Sequence, residues 1–157
     1  MTQPTDTMMK YLLLAAALIG LGGCASSSST SAIQYSNTMD IIGSAATQAP
    51  QVVAGDYTLL IKAVGEQGAM VFLNTELDYR DQRNVTIALP KQVLPQMGIA
   101  DFNALQHHFV NHAVHVRGDA MRVRIDFNRD HVPTGKYYYQ THIHIAKLSD
   151  ISVIAEQ

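Results

Sequence analysis

From Asp56 onward, the apolar residues of this 157-residue chain recur mostly with the two-residue period of a β-strand. Glycine, asparagine and proline turns separate the segments that show this pattern or a β-forming composition. These segments are residues 57–64, 69–73, 84–89, 113–127 and 137–147, with a short closing segment at 151–154. We therefore predict a mainly β domain over residues 55–157.

One segment of the domain has helical spacing instead. Phe102, Leu105 and Phe109 lie at positions i, i+3 and i+7, and Asp101 precedes them as a capping residue. This pattern predicts one short helix between the third and fourth strands.

The fourth strand segment changes its parity at Gly118. Its apolar residues are even-numbered before the glycine, at Val114 and Val116, and odd-numbered after it, from Met121 to Phe127. This change predicts a one-residue bulge at Gly118, and a tight turn there is the competing interpretation.

The order of three strands, one short helix and two long strands resembles that of the OB-fold, a small five-stranded, partly open barrel. The resemblance covers roughly residues 56–154 and concerns topology only. It implies a ligand site on strands two and three and their flanking loops, which here are residues 65–68, 70–83 and 128–136. A β-sandwich with one helix is the alternative fold.

An apolar run that starts after Lys10 is too short to cross a membrane, because a spanning helix needs about 20 apolar residues. A positive start and a short apolar centre are typical of a secretory signal peptide. The run closes with Leu21-Gly22-Gly23-Cys24, which resembles the lipobox of bacterial lipoproteins. In that family the cysteine is lipidated and becomes the mature N-terminus. Asp6 precedes a segment that should begin positive, so we expect translation to start at Met8 or Met9.

The resemblance implies a signal peptide over residues 1–23, lipidation at Cys24 and a flexible linker over residues 24–54, which are rich in Ser, Thr, Ala and Gln. Only the weak apolar island at 39–42 suggests a helical turn in this linker. Ala25 replaces the Asp that commonly marks inner-membrane retention, so we expect the periplasmic face of the outer membrane. Cys24 is the single cysteine, which excludes an internal disulfide.

A polar stripe is predicted on the outer face of the last two long strands. If the strands pair so that the residue numbers sum to about 264, Arg124 lies opposite Gln140 and Arg122 opposite His142. The predicted binding stripe consists of Arg122, Arg124, Tyr138, Gln140 and His142. Arginine beside tyrosine suits a carboxylate, a sugar acid or a side chain of a partner protein. The alternative interpretation is a stripe that only keeps an exposed sheet soluble.

The histidines suggest an alternative function. His142 and His144 share one face of a predicted strand, and His115 lies on a neighbouring strand, which is a pattern compatible with zinc or copper. An arginine predicted opposite His142 disfavours a cation there. We therefore expect no cofactor and keep a His-dependent zinc or copper lipoprotein as the alternative.

No catalytic motif is found in the sequence. Gly-x-Ser-x-Gly is absent, and the neighbours of Glu76 and Asp78, which include Arg80 and Arg83, indicate an ionic loop rather than an acid–base pair. Residues 55–157 carry ten Lys and Arg against eleven Asp and Glu, so single-stranded nucleic acid is only a second alternative. We expect a non-catalytic, lipid-anchored envelope protein whose domain binds an envelope protein or a small polar ligand.

Overall fold

The computed structural model describes residues 32–130, 132–145 and 147–155. Within these residues the strands are β1 (Val53–Leu60), β2 (Ala63–Gln67), β3 (Met70–Asn74), β4 (Val85–Pro90), β5 (Ala113–Arg129), β6 (Val132–His144) and β7 (Ile151–Val153). The α-helices are α1 (Thr38–Gln48) and α2 (Phe102–Phe109), and short 3₁₀ helices span Lys91–Met97 and Leu148–Asp150. The prediction of a mainly β domain is confirmed. No helix in these ranges is long and apolar enough to cross a membrane.

All seven strands of the described part belong to one sheet with the order β1-β5-β6-β4-β3-β2, and β7 pairs with β5. Strands β4 and β6 are parallel, whereas the other pairs are antiparallel. The sheet is open, since the described residues of β1 and β2 at its two edges do not pair with each other. The predicted five-stranded barrel is therefore not supported.

The physical reason is a break in the segment predicted as the first strand. Only Ile61 and Lys62 separate β1 from β2, although these strands lie at opposite edges of the sheet. The Ile61 N–H donates to the His112 carbonyl at 3.0 Å, and the Lys62 N–H donates to the Asn74 carbonyl at 2.8 Å. These two residues thus pass from partners beside one edge to partners beside the other. The sheet must therefore curl, so that β1 at one edge and β2 at the other are joined by these two residues.

The core lies on one face of this curled sheet. Strand β4 contributes Val85, Ile87 and Leu89, which are fully buried, and both helices cover the same core. In α2 the predicted cap is confirmed, because the Asp101 side chain accepts from the Ala104 N–H at 2.8 Å. Phe102 differs from the prediction, since it is exposed while Leu105 and Phe109 are buried.

Helix α1 lies inside the segment predicted as a flexible linker. Asn37 caps the helix by accepting from the Met39 N–H at 2.9 Å, Ile41 and Ala45 are buried, and the helix contacts β1, β4, β5 and β6. Strand β1 also begins at Val53, before the predicted boundary at residue 55. The linker therefore cannot extend to residue 54. The predicted signal peptide and lipidation site, residues 1–24, lie outside the described residues.

Strand β5 passes through Gly118 without interruption, so the bulge and the turn predicted there are both wrong. Its pairing with β1 is constant across this position, with Gly55 opposite Gly118. A Cβ atom on Gly118 would lie 2.5 Å from the His144 carbonyl oxygen and 2.8 Å from Ile143 Cγ2. The glycine is needed because β6 approaches β5 this closely. A shift in the pairing of β5 with β6 occurs between Asp126 and Asn128 instead.

We expect Gly118→Ala to lower the free energy of unfolding by about 1–3 kcal/mol, because the new methyl group must displace backbone. Urea denaturation measures this loss. Gly65→Ala is the matched control, since nothing lies within 4 Å of its added Cβ, and it should change stability by less than about 0.5 kcal/mol. Equal stability of both variants would contradict the close approach of β5 and β6.

Candidate functional site

Strands β5 and β6 form a long hairpin whose pairing differs by one residue from the prediction. Arg122 lies opposite Thr141, and Arg124 lies opposite Tyr139. Neighbouring strand residues point to opposite faces of a sheet, so a one-residue difference transfers side chains from one face to the other. The five residues of the predicted stripe consequently lie on two faces of the hairpin.

The face of the hairpin that carries the two arginines is the one that carries the buried Ile143, because Ala120, Arg122 and Arg124 alternate along β5 and Ala120 lies opposite Ile143. Arg122 Cζ lies 3.6 Å from the centroid of the Tyr139 ring, and Arg124 Cζ lies 4.1 Å from that of Tyr137. Arg124 also pairs with Asp126 at 2.7 Å. These side chains therefore contact their own hairpin and do not reach the other three residues of the predicted stripe.

The other face of the hairpin holds Tyr138, Gln140 and His142, which line a cleft of about 830 Å³. The cleft lies between this hairpin, the end of β2 and the loop of residues 75–84. Its other lining residues include the aromatic Phe72, Tyr79 and Phe127 and the polar Asn74 and Thr86. Tyr138, Gln140 and His142 are thus brought together as predicted, beside part of the regions that the OB resemblance implied.

A relay of side-chain hydrogen bonds follows β6 along the cleft. Gln140 Nε2 lies 2.8 Å from Tyr138 Oη and 3.1 Å from the carbonyl oxygen of Tyr79, while Gln140 Oε1 lies 2.8 Å from His142 Nε2. A carbonyl oxygen only accepts, so the amide NH₂ of Gln140 must face Tyr79 and Tyr138. His142 therefore donates from Nε2. The Tyr138 hydroxyl accepts from Gln140 and keeps its own proton for another acceptor.

His142 is neutral at physiological pH. Its side chain is buried, and this burial, together with the nearby His144, lowers the pKa of His142 to about 4. The proton on Nε2 belongs to the relay, so Nδ1 is left as an acceptor. Burial also raises the pKa of Tyr138, which keeps its hydroxyl protonated as a donor.

The loop of residues 75–84 is held in place by Asn84, which is buried. The Asn84 side-chain NH₂ lies 2.9 Å from Thr86 Oγ1, 3.3 Å from Asn74 Oδ1 and 3.3 Å from the Tyr79 carbonyl oxygen. Thr86 Oγ1 donates to Asn74 Oδ1 at 2.8 Å. The Tyr79 carbonyl thus accepts from both this network and the relay, which joins the loop to the hairpin.

Asn84 and Thr86 are absent from the predicted site. Asn84 directly precedes β4 and Thr86 is its second residue, while the other residues of β4 are apolar; Asn74 likewise ends the otherwise apolar β3. Polar side chains at such positions need partners once they are buried. Polar residues beside apolar strand residues were therefore the sequence signal for this site, and they indicate a buried polar network more directly than the histidines do.

The charged side chains around the cleft are each paired within the chain. The pairs are Glu66 with Lys91 at 2.7 Å, Asp78 with Arg80 at 3.0 Å and Asp126 with Arg124 at 2.7 Å. Farther along the loop Asp81 pairs with Arg83 at 2.8 Å, while Glu76 pairs with Lys62 at 2.8 Å. The ionic loop is therefore confirmed, and Glu76 and Asp78 bond to different cations.

The three histidines of the metal alternative are not brought together. His115 pairs with Asp56, whereas His144 lies opposite Asp119, four residues farther along β5. The rings of His142 and His144 stack with centroids 6.0 Å apart. No group of three or more His, Cys, Asp or Glu is placed to hold a metal ion within the ranges that the structure describes.

Comparisons with family models, curated proteins and solved structures found no match to this chain. Its function must therefore be inferred from the chemistry of the cleft. The cleft offers aromatic rings, a neutral imidazole and a tyrosine hydroxyl that is able to donate.

We expect Asn84→Ala to lower the free energy of unfolding by about 1–3 kcal/mol, because Asn74, Thr86 and the Tyr79 carbonyl lose a shared buried partner. Asn103→Ala is the control, since Asn103 is exposed on α2, and it should change stability by less than about 0.5 kcal/mol. Urea denaturation separates the two outcomes. An Asn84→Ala variant as stable as the control would contradict the role of this network.

His142 should make stability depend on pH. Its folded pKa of about 4 lies below the ordinary 6.5, so between these values the unfolded chain binds a proton that the folded protein does not. Its contribution is complete above about pH 6.5 and should fall by up to about 3 kcal/mol as the pH drops through this window.

Urea denaturation of the wild type and of His142→Asn at several pH values measures this effect. The variant should lose stability less steeply than the wild type on acidification, while a variant of the exposed His107, His107→Asn, should follow the wild type. Parallel curves for the wild type and His142→Asn would refute the assignment.

Proposed function

We propose that this chain is a non-catalytic, lipid-anchored protein of the bacterial envelope whose sheet domain binds a small polar ligand in the cleft. The observation that carries the proposal is the lining of the cleft, where aromatic rings surround a bonded polar network that leaves the Tyr138 hydroxyl free to donate to a ligand. Ligand sites typically combine a mostly apolar lining with a few positioned polar groups.

The proposed anchor is a lipid on Cys24, supported by the lipobox-like Leu21-Gly22-Gly23-Cys24. Ala25 supports the periplasmic face of the outer membrane as the location. No cofactor is part of the proposal, and the zinc or copper alternative lacks a suitable group among the described residues.

We further propose that the sheet is a variant of the OB-fold. Three features support this relation: β4 and β6 are parallel, α2 lies between β4 and β5, and the segment 53–67 pairs with β5 through β1 and with β3 through β2. If β1 and β2 are counted as one bent strand and β7 is left aside, five strands remain, and each of them has two neighbours. Phe72, Asn74 and Thr86, which line the cleft, then lie on strands two and three, where such proteins bind ligands.

The face of the hairpin that carries Arg122 and Arg124 is a second candidate surface, for a protein partner in the envelope. Tyr137 and Tyr139 are 49% and 38% exposed there, and each stacks on an arginine. An arginine that is held flat on a ring presents its N–H groups edge-on to a carboxylate.

Photo-cross-linking in living cells tests the cleft. A photoreactive phenylalanine analogue at Tyr79, which lines the cleft, should give an adduct of low mass, whereas the same analogue at Tyr35, which is similarly exposed but does not line the cleft, should not. Identical products at both positions, or no product at Tyr79, would contradict the proposed binding of a ligand in the cleft. Separately, Cys24→Ser should release the protein from the membrane fraction and remove the lipid mass from its N-terminal peptide.

A further inference from the structure

The charges around the cleft leave little to attract an ionic ligand. Glu66, Asp126 and Arg80 line the cleft, and each is within 3.0 Å of an opposite charge from its own chain. His142 adds no charge, because it is neutral at physiological pH. Among the described lining residues, Arg80 is the single permanent cation, and Asp78 already holds it through two hydrogen bonds.

The aromatic side chains give the cleft flat apolar walls. The rings of Phe127 and Tyr138 lie 5.3 Å apart, and Phe72 packs beside His142 with centroids 6.0 Å apart. Tyr79 and Phe127 are 52% and 46% exposed, so both rings present surface that a ligand can cover. Rings of this kind pack favourably against the C–H face of a pyranose sugar.

The polar groups between these walls match hydroxyl chemistry. The Tyr138 hydroxyl is left to donate and His142 Nδ1 is left to accept, and Gln67 and Asn128, whose side chains carry amides, also line the cleft. Sugar hydroxyls both donate and accept, so neutral groups of both kinds are needed to bind them.

We propose that the ligand of the cleft is an uncharged oligosaccharide. This inference rests on the proposed function and names the class of ligand for the same cleft. A nucleic acid would bring one phosphate charge per nucleotide, and the described residues that line the cleft offer no unpaired cation to meet it. A sugar acid, which the predicted arginine stripe favoured, loses its partners because Arg122 and Arg124 lie on the face of the hairpin opposite the cleft.

The test uses the full chain, purified from membranes in a detergent without a sugar headgroup. Calorimetric titration with maltotriose, cellotriose and chitotriose as neutral probes is compared with titration of a galacturonic acid trimer and a thymidine oligonucleotide. At least one neutral probe should bind with a Kd that does not change with ionic strength. The absence of binding across the neutral probes, or stronger binding of either charged probe, would overturn the inference.

Two matched variants locate the binding. Tyr138→Phe removes the donor to the ligand and should raise the Kd of the bound probe roughly threefold to tenfold. Tyr137→Phe removes the neighbouring hydroxyl on the opposite face and should leave the Kd unchanged, with both variants unfolding at the wild-type temperature. Equal effects of the two variants would place binding outside the cleft and refute the inference.

The two proposals fail in different ways. A cleft-specific adduct at Tyr79 that proves not to be a saccharide would refute the ligand class and leave the binding function intact. The absence of any cleft-specific adduct would refute the binding function itself.

Discussion

The two residues between β1 and β2 decide the shape of this domain. Ile61 and Lys62 carry the chain from one edge of the sheet to the other, and their backbone groups bond to His112 and Asn74 on the way. An open seven-stranded sheet whose edges are joined so closely cannot lie flat. It has to curl around its apolar face, and its convex face is left to solvent except where other segments cover it. The cleft lies on that convex face.

A cleft outside the core depends on polar contacts instead of apolar burial. The loop of residues 75–84 bonds to β4 through Asn84, and it bonds to the β5–β6 hairpin through the Tyr79 carbonyl. A loop with Leu77 80% exposed gains little from the hydrophobic effect, so these bonds must hold it. Burial of His142 and Thr86 beneath the loop in turn requires that each has a hydrogen-bond partner. The cleft and the stability of the loop therefore share one network.

The parts of the fold that follow from local chemistry were predictable, and those that depend on pairing were not. The period of two located the strands, and Asp101 with Leu105 and Phe109 located α2, because these signals act within a few residues. Helix α1 was predicted only as a weak helical turn at residues 39–42, since alanine, serine and threonine suit both a linker and a helix that packs closely, as Ala45 does. The β5–β6 pairing depends on the irregularity between Asp126 and Asn128, and no residue type in the sequence indicates that irregularity.

That single-residue difference in pairing changes the chemistry of the site more than its location. Tyr138, Gln140 and His142 line the cleft in either pairing, because they belong to one strand and alternate on one face. The arginines belong to the neighbouring strand, so their face depends on the pairing, and the structure places them with Tyr137 and Tyr139. With them beside the cleft, an anion would be the natural ligand. Without them, the described residues that line the cleft are neutral donors, neutral acceptors, apolar side chains and paired charges, and their electrostatics favour an uncharged molecule.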